Sequence, residues 1–180
     1  MFRDESALGR TVHAIAKATA LAGGAILIVI TVLIVVSVSG RALIWAGMRP
    51  VNGDYELVSM GIGFAVFAFL PWAHLKRAHA IVTLVSDSLS PAVNRWILVV
   101  TDIMMMTAAI FIAWRLYQGM LDKFSYQETT LLLRIPLGWA YAAGLVGAVV
   151  FAITAIYVLG RSLTAAVTGV SEAQPQGGHL

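Results

Sequence analysis

Cysteine is absent from the 180-residue chain, which excludes disulfides, thiolate metal sites and cysteine nucleophiles. Charge is scarce as well: Asp, Glu, Lys and Arg make up 12% of residues, against about 25% in soluble domains. The net charge of +3 is small and unclustered, which argues against a nucleic-acid partner. The four histidines are His13, His74, His79 and His179, and no two face each other inside a span as haem ligands would. His74 and His79 stand five apart, a spacing that separates them around a helix, so they read as interfacial polar residues rather than a metal pair. No Ser, His and Asp share a recognisable nucleophile context. These absences turn the reading away from an enzyme, with no catalytic, cofactor-binding or metal residue nominated.

Apolar residues are what the chain has in excess. They reach 59% and come in blocks, more than a soluble domain of this size is able to bury. Leu57 to Leu75 is uncharged for 19 residues, which spans about 28 Å as a helix, close to the hydrocarbon thickness of a bilayer. Asp54 and Glu56 precede it, and Lys76 and Arg77 follow it. Beyond the bases, Ala78, Ile81, Val82, Val85 and Leu89 recur on one stripe, which predicts a short amphipathic helix lying along the membrane surface.

Three more blocks complete the pattern. Residues 18–40 form a first span after a polar leader, 1–17. A cleaved signal peptide has an apolar core of about 7–15 residues, so this longer block reads as a retained helix. Residues 96–114 are bracketed by Trp96 and Trp114, and 135–160 open on Pro136, which suits a first helical turn. Trp45, between the first two spans, is expected at the headgroups. The expected fold is an all-α integral membrane protein with four transmembrane helices and one interfacial helix between spans two and three. The membrane domain then covers 18–161, and 162–180 read as a flexible tail. Seven Lys and Arg on the terminal side against five on the other place both termini in the cytoplasm under the positive-inside rule.

Within the spans, polar chemistry is sparse. Asp102 is the one internal charge; a carboxylate there has either a structural partner or a role in ion or proton movement. Pro71 near the end of the second span suits a kink. Ala140, Gly144, Ala148 and Ala152 recur every four residues on the fourth span, a small-residue stripe fit for close helix packing, within this chain or against another. Helices with packing faces and no evident transport site suggest a component of something larger.

Three stretches carry a resemblance. An acid, Glu56 in GDYELV, stands just before the second span; LKRAHAIVTLV runs from Leu75 to Val85; IPLGWAY opens the fourth span from Ile135 to Tyr141. With four spans in this order the chain resembles the small membrane subunit, of DctQ type, of a tripartite ATP-independent periplasmic (TRAP) transporter. It departs from that pattern at Ala80 and Thr83, which removes support for a fixed site around His79. The resemblance implies a scaffold in the bacterial inner membrane, packed beside a large multi-span transport subunit. That subunit would take up an organic acid or related solute from a periplasmic binding protein, with a sodium gradient acting at the large subunit. If the binding protein touches this chain, Arg49, Asp54, Lys123 and Glu128 are the charged docking candidates. A membrane anchor of a redox complex and a small four-helix exporter are the alternatives, although an exporter of that kind needs a carboxylate that residues 18–40 lack.

Overall fold

The computed structural model describes residues 7–76 and 91–168. The surface helix expected over 78–90, and His79 with it, lies outside these residues. Four helices cover most of the described chain: α1 (Ala7–Ala42), α2 (Asp54–Leu75), α3 (Pro91–Ser125) and α4 (Leu137–Thr168). All four are long and apolar enough to cross a membrane. Among the described residues there is no strand beyond one isolated bridge, Thr129 with Pro136. The protein is an all-α membrane protein.

The helices outrun their apolar blocks. α1, α3 and α4 have 36, 35 and 32 residues, or about 48–54 Å, well beyond the roughly 30 Å of hydrocarbon. Residues 7–17, 116–125 and 162–168 are helical although they carry charge or hydroxyls. A nucleated helix adds residues at little further cost, and the hydroxyls bond back to their own turns, as Thr11 does to the Ala7 carbonyl at 2.9 Å. α2 also continues through Pro71 to Leu75.

Packing follows a seven-residue rhythm. On α1 the buried residues include Gly9, Ala16, Gly23, Ile30 and Ser37, one every seven, the repeat that keeps a seam facing a neighbouring helix. α2 answers in antiparallel register. A Cβ on Gly23 would stand 2.9 Å from the Ala68 Cβ, and one on Gly61 would strike Ile30. The Ser37 hydroxyl donates to Asp54 Oδ2 at 2.5 Å. Each step of seven down α1 is thus met by a step of seven up α2.

α4 is the centre of the molecule. It packs against α3 on one side and α2 on the other, with a lighter contact to α1, while neither α1 nor α2 packs extensively on α3. Its buried residues include Gly144, Ala148, Phe151, Ala155, Val158 and Ser162, a row that alternates steps of four and three, the same near-3.5 period. The core cluster joins Ala109 of α3 to Phe151 and Ala155 of α4, with Leu70, Met105, Met106 and Ala152 around it. The result is an open row, α1–α2–α4–α3, with broad apolar outer faces.

Two connectors meet at one end. After α1 the chain makes a 3-10 turn, Ile44–Ala46, then doubles back so closely that the Arg49 carbonyl lies against Gly40. Gly53, at φ +73°, launches α2 from a left-handed conformation that disfavours any Cβ. The other connector, residues 126–136, lies beside it, with the Leu133 side chain against Gly53.

Candidate docking and packing sites

The small-residue stripe of α4 is covered by this chain's own helices at only two of its four positions. Gly144 and Ala148 are buried, whereas Ala140 and Ala152 are half-buried. The reason is geometric: residues four apart drift about 40° around an α-helix at each step. A period-four stripe therefore leaves a seam that follows a 3.5 period. The closest approach is at Gly147, a residue the stripe omits. A Cβ there would stand 2.7 Å from the backbone carbonyl carbon of Phe67, whereas at Gly144 it would meet only the Phe67 ring, at 3.2 Å. Gly144 and Gly147, three apart on adjacent turns, are the signal in the sequence for this site.

Asp102 is buried on α3, and the Ser162 hydroxyl of α4 donates to its Oδ2. Ser162 also bonds its own helix at the Val158 carbonyl, 3.2 Å away. The carboxylate thus forms part of a joint between two helices. Ser162 was placed in the tail by the hydropathy pattern, which weighs apolar runs and misses a hydroxyl one turn beyond them. His74 is buried at the other α4 seam, edge-on to Phe151 with ring centres 5.7 Å apart. His13 makes a similar edge contact with Trp72 at 4.9 Å, and Lys76 Nζ stands 4.8 Å over the same indole. The start of α1 is thereby packed onto the end of α2.

The four charged docking candidates separate into two kinds. Asp54 bonds Ser37, accepts the Tyr55 N–H at 2.8 Å and faces the Arg41 guanidinium at 3.4 Å, closing the α1–α2 turn. Lys123 and Glu128 pair with each other at 2.5 Å across the end of α3. Three of the four therefore have partners within the chain, and Arg49 is exposed. Glu56 has a role that its position alone did not reveal. Its Oε1 accepts the Leu132 N–H at 2.7 Å and its Oε2 the Leu133 N–H at 3.0 Å. It ties the first turn of α2 to the α3–α4 loop across 76 residues of chain.

The fold and these joints define a class: a four-span membrane protein in which a few polar side chains, such as Ser37 with Asp54, Glu56 with the α3–α4 loop and Ser162 with Asp102, join one element to another. Among the described residues no group of three or more His, Asp or Glu is placed to hold a metal. Residues 30–165 match the family described as tripartite ATP-independent periplasmic transporters, DctQ component. The chain belongs to this DctQ family, the small permease component of TRAP transporters. No curated protein and no solved structure matches it.

Proposed function

We propose that this chain is the scaffold subunit of a TRAP-type secondary transporter in the bacterial inner membrane. It packs against the large transport subunit and supports ion-gradient-driven uptake of an organic acid or related solute, handed over by a periplasmic binding protein. The family match over residues 30–165 carries the reading. The open helix row supports it, because apolar side chains such as Val29 and Val32 of α1 and Met104 and Phe111 of α3 stand exposed and suit lipid or a neighbouring subunit. Both termini face the cytoplasm in this reading, with the 43–53 and 126–136 connectors in the periplasm.

Co-expression with the large subunit tests the core of the proposal. Affinity capture of this chain should retain the large subunit in mild detergent. Vesicles holding all three components should accumulate solute down a sodium gradient, and vesicles holding this chain alone should not. Uptake by the isolated chain would overturn the scaffold assignment. Orientation has its own test in a chain without native cysteine: Asn52→Cys should react with an impermeant thiol reagent applied from the periplasmic side, and Ser171→Cys should not.

A further inference from the structure

The α3–α4 loop is built unlike an ordinary surface turn. Its tip carries two outward leucines, Leu131 at 94% and Leu132 at 71% exposure, while Leu133 rests on Gly53. The backbone around the tip is nonetheless closely satisfied. Thr130 N–H donates to the Ile135 carbonyl at 2.9 Å, Ile135 N–H to Thr130 Oγ1 at 3.1 Å, and Leu137 N–H to the Glu128 carbonyl at 2.9 Å. Glu56 takes the Leu132 and Leu133 N–H groups. Water would satisfy such groups without help; a low-dielectric setting leaves an unpaired N–H several kcal/mol worse off.

Depth identifies the setting. Leu133 contacts Gly53, one residue ahead of α2, and Glu56 lies in the first turn of α2. The uncharged block of α2 begins at Leu57. The base of the tip therefore lies within about one helical turn of the start of the apolar span. Exposed Tyr55 and Trp139 stand in the first turns of α2 and α4 at the same end, residue types that collect at the membrane interface. Arg134, also exposed, supplies a cation beside the leucines for lipid phosphates.

We propose that Leu131 and Leu132 form a foot inserted at the headgroup–acyl boundary of the bilayer leaflet at this end, with Glu56 clamping the loop in its inserted shape. The occupant of this apolar tip is lipid.

The test uses the full chain, free of native cysteine, with a nitroxide at Leu131→Cys, reconstituted in phosphatidylcholine–phosphatidylglycerol vesicles. Oxygen, which concentrates in lipid, should relax this label several-fold more than a water-soluble nickel chelate does. That preference should match a label at Val29→Cys in the middle of α1 and oppose one at Asn52→Cys. A Leu131→Cys label that behaves like Asn52→Cys places the tip in water and overturns the foot. This measurement needs no partner, so it stands apart from the subunit assignment. Repeated with the large transport subunit bound, retained oxygen access supports lipid; lost oxygen access makes a protein the occupant and overturns the proposal. Glu56→Gln should shift the Leu131→Cys label several-fold toward nickel access, and an unchanged label overturns the clamp.

Discussion

Gly147 and Gly144 meet the same residue, Phe67, with different consequences. A side chain at 147 would collide with the Phe67 backbone, whereas at 144 it would press on a ring that is able to turn. Gly147→Ala should therefore destabilise the protein by about 1–3 kcal/mol, the usual range for overpacking, and Gly144→Ala by less. Gly147→Leu should give little folded protein, while Val149→Leu, on an exposed face, should be neutral. Thermal unfolding of the purified chain in detergent checks the order; equal tolerance at 147 and 149 would remove the close approach. Asp102 offers a second contrast. Asp102→Asn keeps an acceptor for Ser162, so stability should hold, whereas Asp102→Ala should lose on the order of 1 kcal/mol, as for other hydrogen bonds between membrane helices. Normal stability of Asp102→Asn with abolished uptake in the full transporter would instead assign that carboxylate to ion movement.

Between elements, register is held by a few polar joints on an apolar seam. The seven-residue repeat of α1 aligns it with α2, but small residues such as Gly23 and Ala68 permit close approach without fixing how far the helices slide. The Ser37–Asp54–Arg41 group supplies the stop at one end. Removing it should loosen that end alone. Asp54→Ala is expected to speed amide hydrogen exchange several-fold over residues 43–56 and to leave α4 unchanged. Unaltered exchange in the connector would show that backbone packing on Gly40 suffices.

For the whole molecule, the open row leaves α1 and α3 at opposite edges and exposes long apolar faces to lipid or to a partner. Charged docking at the connector end then rests on few groups, because Asp54, Lys123 and Glu128 have partners within the chain. If the binding protein touches this surface, Arg49→Glu should slow uptake in the full transporter more at low salt than at high salt, since screening already weakens long-range attraction at high salt. The double variant Lys123→Glu with Glu128→Lys, which keeps the pair with its sense reversed, should transport normally. Uptake by Arg49→Glu that is unchanged across the salt range would leave docking to the large subunit.

Hydropathy alone determined the class of protein and the number of spans, because crossing a bilayer demands long uncharged blocks and four of them stand plainly in the chain. The acid before the second span and the Ile-Pro opening of the fourth were legible too, and they carried the resemblance to the family. Helix ends were not legible, since residues 7–17 and 162–168 owe their helicity to propagation rather than to an apolar run. The order of the helices in the row was also beyond a one-dimensional pattern, because every span carries more than one apolar face. Pairing was the least accessible property. Asp54, Lys123 and Glu128 look like free surface charges in the sequence, yet Ser37, 17 residues away, and the turn of the chain after α3 engage them. Glu56 reaches Leu132 and Leu133, and Asp102 meets Ser162 60 residues on, only because α4 folds back between α2 and α3. Hydrogen bonds depend on distances of about 3 Å in space, and separation along the chain does not encode them.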